Sequence, residues 1–153
     1  MKYLAATAAL FALTLPAFAE GDVAAGEKTY KKCKSCHAIT DAEGEKIVKG
    51  GKSGPNLYGV IGRAAGSVED FKYSKSIIAA GEAGLVWDEA LLAEYAQDPK
   101  AFLAAQLDDS KAKSKMTYKL KKGGEDVAAY LATFSTAVEE TEGTEATEDG
   151  SDS

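Results

Sequence analysis

The residues of this 153-residue chain best suited to redox or metal chemistry are two cysteines, one histidine and two methionines. Cys33 and Cys36 stand three positions apart and His37 follows directly, giving Cys33-Lys34-Ser35-Cys36-His37. Two thiols on one turn reach two vinyl groups of a single haem. The adjacent imidazole then falls under the iron as its proximal ligand, and C-x-x-C-H is the haem-attachment signature. Other chemistries use part of the same motif. A thioredoxin-like thiol–disulfide pair needs an α/β context, and the sequence shows none. Zinc takes four ligands, but there is no second cysteine pair and no second histidine. A stabilising disulfide is the third reading. The histidine beside the second thiol favours haem, because it is the sole histidine in the chain.

With His37 below the iron, no other imidazole or thiolate remains for the sixth position. Past the first residues the chain has one methionine, Met116, in the polar, lysine-rich run Lys113-Ser114-Lys115-Met116-Thr117-Tyr118. Neither helical spacing nor core packing accounts for a methionine there. A thioether ligand does: its softness favours ferrous iron and raises the reduction potential, as an electron carrier needs. If Met116 does not ligate, an open iron site would make the chain a haem enzyme or gas sensor. If no haem binds, the two cysteines would make it a thiol–disulfide oxidoreductase.

The elements that position these residues read as helices separated by a long irregular region. Asp22 caps a helix running through Val23, Ala24, Gly26 and Tyr30 to the first cysteine. About 30 residues without a convincing period follow His37, with glycines at 44, 50, 51, 54, 59, 62 and 66. Such a stretch inside a compact domain is unusual unless it wraps something that supplies a core of its own. Residues 73–80 read as a short helix closed by Gly81. Asp88 caps a helix over 89–97 with Leu91, Leu92 and Tyr95 on its apolar side, and Pro99 opens another containing Phe102 and Leu103. Residues 125–134 form the last, with Val127, Tyr130, Leu131 and Phe134 at helical spacing. No run alternates well enough to be a strand. The expected class is all-α: about five short helices and long loops wrapped around one covalent haem.

Both ends read differently from this body. Lys2, an apolar run over residues 4–15 and Pro16-Ala17-Phe18-Ala19 match a secretory signal peptide, cleaved after residue 19. The run is short of the roughly 20 apolar residues a membrane span needs, and a retained anchor is the alternative. From Glu139 the chain reads EETEGTEATEDGSDS, holding seven of its 24 acids and no base. Its composition predicts a disordered acidic tail over 136–153. The domain between, residues 20–135, is nearly neutral, so the net charge of −6 belongs to the tail. Nothing suggests nucleic-acid binding.

The body resembles the class I cytochromes c, and among them the bacterial cytochrome c2 subfamily, from Gly21 to about Ser135. The opening GDVAAGEKTY is similar to the family's first helix, where Gly26 allows close approach of the last helix and Tyr30 packs beside it, with Tyr130 and Leu131 as partners. Gly54-Pro55-Asn56-Leu57 resembles a turn whose proline carbonyl accepts a hydrogen bond from the ligand histidine. The resemblance implies that Pro55 orients His37. It implies a propionate-binding role for Arg63, and propionate-side donors in Tyr73 and Trp87. Tyr95 matches a tyrosine that hydrogen-bonds near the methionine sulfur, Ser114 a position usually held by threonine, and Tyr118 an aromatic shielding the haem. Ordinary packing is the competing role for Arg63, Tyr73 and Tyr95, and Trp87 also serves as core. Departures lie in Ser114, in loop lengths between 38 and 54 and before Met116, and in the acidic tail.

The resemblance also implies an electron carrier that docks through lysines ringing the haem edge. Lys111, Lys113, Lys115, Lys119, Lys121 and Lys122 surround Met116, with no acid between Ser110 and Lys122. Lys31, Lys32 and Lys34 flank the attachment motif, and Lys100 joins the rim by resemblance. Such a ring steers encounter with acidic partners and keeps binding transient. The implied route runs from a quinol-oxidising cytochrome bc complex to a photosynthetic reaction centre, a cytochrome oxidase or a denitrification enzyme. The expected protein is a periplasmic monomer, not membrane-embedded and not an enzyme. The tail's acids could compete for the lysines, or could serve solubility alone.

Overall fold

The computed structural model describes residues 21–135. The signal peptide expected over 1–19 and the tail expected over 136–153 lie outside them. Five helices form within the described residues: α1 (Val23–Tyr30), α2 (Lys75–Glu82), α3 (Glu89–Gln97), α4 (Pro99–Gln106) and α5 (Gly124–Ala132). Three begin at aspartates whose side chains accept from the N–H three residues on: Asp22 for α1, Asp88 for α3 and Asp98 for α4. These bonds satisfy donors that a helix N-terminus otherwise leaves unpaired. Pro99 at the start of α4 sacrifices no helical hydrogen bond. No helix among the described residues is long and apolar enough to cross a membrane.

α1 packs across α5, which also meets α3; α4 packs on α3 and α2. Gly26 sits at the α1–α5 crossing, where an added Cβ would collide with the Asp126 carbonyl. Tyr30 then meets Tyr130 with ring centroids 5.6 Å apart, and Tyr130 stands edge-on to Phe134 at 5.0 Å. The carboxylate of Asp126 accepts from the Asp22 N–H at 2.9 Å, tying the two helix starts together. Tyr30, Leu103, Ala128 and Leu131 are almost fully buried.

Four details differ from the sequence reading. α1 ends at Tyr30, before the first cysteine, and the attachment motif lies on the hydrogen-bonded turns after it. α2 starts from a Ser74 cap, and Gly81 lies inside it rather than closing it. A Cβ at Gly81 would strike the Ala65 carbonyl, so this glycine permits packing, not termination. α5 ends at Ala132, short of Phe134. The region after His37 holds two short antiparallel strands where none was expected, β1 (Ile39–Thr40) and β2 (Lys46–Val48). The Asp41 carboxylate accepts from the N–H groups of Glu43 and Glu45 and shapes their connection. Strands of two and three residues are too short to display a period of two.

Candidate cofactor site

The helices and loops enclose a cavity of about 380 Å³, within the range of small-molecule and cofactor sites, roughly 300–1,000 Å³. All nine residues singled out from the sequence line it: Cys33, Cys36, His37, Pro55, Arg63, Tyr73, Trp87, Tyr95 and Met116. Leu57, Val60, Ile77, Leu92, Leu120 and Leu131 give it a largely apolar wall.

Local hydrogen bonds hold the attachment motif in place. The N–H groups of Cys33 and Lys34 donate to the Tyr30 carbonyl, and those of Cys36 and His37 to the Cys33 carbonyl. The following loop straps across this turn, Gly51 N–H to the Lys34 carbonyl at 2.9 Å and Gly54 N–H to the Cys36 carbonyl at 2.8 Å. Gly54 is so close to the imidazole that an added Cβ would overlap the ring. The strap delivers the Pro55 carbonyl to His37 Nδ1 at 2.8 Å. Because a carbonyl only accepts, Nδ1 carries the proton and Nε2 keeps its lone pair. Burial lowers the His37 pKa, against the opposing pull of the Pro55 bond, so the neutral imidazole is favoured.

The two thiols are not joined to each other. Burial pushes Cys33 up to about 11, whereas hydrogen bonds from the Ser53 and Ser35 hydroxyls lower the exposed Cys36. Among the described residues no three His, Cys, Asp or Glu side chains converge as a bare metal ion would need.

On the far segments, residues 62–65 pair with residues 85–87: Gly62 N–H bonds the Trp87 carbonyl, Trp87 N–H that of Arg63, and Ala65 N–H that of Leu85. This pairing sets Arg63 and Trp87 side by side on the cavity. Arg63 donates from Nη1 to the Tyr58 carbonyl at 2.9 Å and from Nη2 to the Asn56 carbonyl at 3.0 Å. Two of its five N–H donors are thereby spent on the chain, and three remain. Burial raises the Tyr73 hydroxyl pKa, and the nearby Arg63 guanidinium opposes the rise. Trp87 packs at a tilt against Tyr95 and Phe102, with centroids at 5.0 and 5.8 Å, so it is also core.

The Met116 loop is tied down at several points. The hydroxyls of Tyr95 and Ser114 share a hydrogen bond of 3.2 Å, and Ser114 Oγ also accepts from the Met116 N–H at 3.1 Å. Lys113 N–H donates to Ser76 Oγ, Leu120 N–H to the Ala96 carbonyl, and Lys115 Nζ to the Lys72 carbonyl. Lys119 pairs with Asp98 at 2.6 Å. Tyr118, 45 % exposed, closes part of the rim. All the lysines named for docking are exposed, and Lys32 and Lys115 reach the cavity itself.

Sequence reasoning missed Asn56. Its Oδ1 accepts from the Thr40 and Tyr58 N–H groups at 2.9 and 3.1 Å, and its Nδ2 donates to the Thr40 carbonyl at 2.7 Å. It staples the strap to β1 beside Pro55. Its signal was its place in Gly-Pro-Asn-Leu, a turn sequence with a polar residue next to the histidine's acceptor. The donor set fits one haem c: two thiols three apart, an imidazole with a fixed tautomer, and a thioether in an apolar cavity.

The chain is 62 % identical over 134 residues to cytochrome c-551 of Roseobacter denitrificans, covering 88 % of this chain and 96 % of that one. It is 59 % identical over 128 residues to cytochrome c2 of Rhodobacter capsulatus, covering 84 % of this chain and 93 % of the relative. A solved structure of the Rhodobacter capsulatus cytochrome c2 superposes with a TM-score of 0.73 at 58 % identity, over 74 % of this chain and 97 % of that one. Ferric cytochrome c-550 from Paracoccus versutus gives 0.74 at 53 % identity, over 76 % and 99 %. No family model matches the chain.

Proposed function

We propose, from the premise that the chain belongs to the class I cytochromes c of the cytochrome c2 group, that it shuttles electrons through the periplasm from a quinol-oxidising cytochrome bc complex to a terminal acceptor. As a c-type cytochrome it carries one covalent haem c and transfers electrons; it is not an enzyme. When bound, the haem supplies an iron that alternates between ferric and ferrous states.

On this reading Cys33 and Cys36 are the residues that would hold the haem covalently, through one thioether each. His37 Nε2 and the Met116 sulfur would ligate its iron. Arg63, Tyr73 and Trp87 offer donors to the propionates, whose burial would be costly without partners. Tyr95 and Ser114 position Met116. With His37 and Met116 both occupied in holding the iron, this chain would leave no open position for oxygen or peroxide and would favour outer-sphere transfer. The observation that carries this reading is the His37 Nδ1–Pro55 bond inside an apolar cavity shared with both thiols and Met116. It serves a ligand imidazole by fixing its orientation and leaving Nε2 available.

The signal-like residues 1–19 support export, with residues 20–135 as the working domain. The acceptor would be a photosynthetic reaction centre, a cytochrome oxidase or a denitrification enzyme, met through Lys31, Lys32, Lys34, Lys100, Lys113, Lys115, Lys119 and Lys121. Lys119, ion-paired to Asp98, and Lys115, held by the Lys72 carbonyl, are already engaged; Lys32, Lys113 and Lys121 are the better tests. Reduction by an isolated cytochrome bc complex, followed against salt, should slow several-fold for Lys32→Glu, Lys113→Glu and Lys121→Glu at low ionic strength. The difference should fade above about 0.2 M, where charges are screened within several ångströms. Rates unchanged by these reversals would overturn the docking face.

A further inference from the structure

We propose that the lysine face around Met116 is covered part of the time by the chain's own acidic segment, the seven acids between residues 139 and 152. The inference rests on the docking reading above and adds a built-in competitor for the same surface. Three observations carry it.

The first is charge. Among the described residues Lys119 with Asp98 is the one ion pair and Lys115 is held by the Lys72 carbonyl, so the other lysines of the face present their charge to solvent. The second is chemistry. Residues 139–153 contain seven acids, no base and no large apolar side chain, so attraction to cations is their main means of binding. The third is reach. The described chain leaves the body beside the cavity wall, where Gly59 N–H bonds the Phe134 carbonyl and Ile61 N–H the Ser135 hydroxyl, with Val60 between them lining the cavity. Seventeen residues on, Asp152 lies up to about 60 Å away when extended. The body of 115 residues has a radius of gyration of only about 13 Å. Every lysine of the face is therefore within range.

Tethering gives the segment an effective concentration of about 1 mM at the face. If its intrinsic affinity were equally weak, about half the molecules would be covered at low salt, and removing the segment would about double the exposed fraction. An acidic partner would have to displace it, which makes the encounter more selective without any new contact.

The test compares the ferrous holoprotein with a form ending at Ser135 and with a full-length form whose seven acids are Gln or Asn. Amide NMR spectra are recorded at about 10 mM and 0.3 M ionic strength. The proposal expects truncation to shift the amides of Lys31, Lys32, Lys34 and residues 111–122 at low salt only, with the neutralised chain matching the truncated one. Oxidation by hexacyanoferrate(III), a small anionic probe, should be about twofold faster without the acids at low salt. Shifts confined to Gly59, Ile61 and Phe134 would overturn it. So would shifts that grow with protein concentration, which would make a second copy the occupant. Lysine reversals made in the truncated form test the docking face by itself, so failure of the competitor is distinguishable from failure of the face.

Discussion

Replacing Asn56 by alanine should loosen the strap that carries Pro55 to His37, and the cost can be worked from three bonds. The side chain accepts from the Thr40 and Tyr58 N–H groups and donates to the Thr40 carbonyl, all in a part-buried setting. At about 1 kcal/mol net per bond, the loss is about 3 kcal/mol. With an unfolding entropy of about 2.1 cal/mol/K per residue over 115 residues, that lowers the thermal midpoint by about 12 °C. The loop should not detach, because Arg63 still donates to the backbone carbonyl of residue 56, which the substitution spares. Circular dichroism of the ferric holoprotein during heating measures the shift. A drop of less than about 3 °C, near 0.7 kcal/mol by the same conversion, would refute the claim that this side chain is the staple.

Gly26→Val should cost about 2–3 kcal/mol in denaturant unfolding, because the new side chain meets the Asp126 carbonyl and Tyr130 at the α1–α5 crossing. Tyr95→Phe keeps the ring packing against Trp87 and Phe102 but loses the hydroxyl shared with Ser114. It should cost about 1 kcal/mol, whereas Ser114→Ala also releases the Met116 N–H and should weaken the methionine-to-iron absorption band more on warming. Asp98 is held below the usual carboxylate range, chiefly by its hydrogen bond with Lys119 and then by the Ala101 N–H. Its folded value is depressed, so its contribution is full above the unfolded value of about 3.9 and is lost as pH falls through the folded one. Asp98→Asn should therefore flatten the acid limb of stability against pH, and the two proteins should converge near pH 2.

Much of this molecule was legible where one residue type announces one local geometry. Asp22, Asp88 and Asp98 each cap the helix that follows, and Pro99 opens α4, because those caps are built from neighbours in sequence. That the nine expected residues line one cavity was legible for a different reason: the attachment motif points to Cys33, Cys36 and His37, elimination points to Met116, and a family likeness points to the rest. The hairpin of Ile39–Thr40 and Lys46–Val48 was not, since strands so short carry no period. Gly81 misled because a glycine near a helix end reads as a stop, while its reason is the Ala65 carbonyl packed against it. The Asn56 staple, the Arg63 bonds to carbonyls and the Lys115–Lys72 contact join side chains to backbone through the path of irregular loops. No spacing rule encodes such paths.

Electron carriage without catalysis requires the iron to be held by His37 and Met116 in a closed site. An optical spectrum of the periplasmically expressed protein, oxidised and then reduced, tests that most directly when it includes the weak near-infrared methionine-to-iron band. Sharp reduced bands and a near-infrared band that Met116→Ala abolishes are the expected result. Haem bands without that near-infrared feature, or ready carbon monoxide binding by the unaltered protein, would contradict the closed site, and a colourless protein would contradict the haem itself.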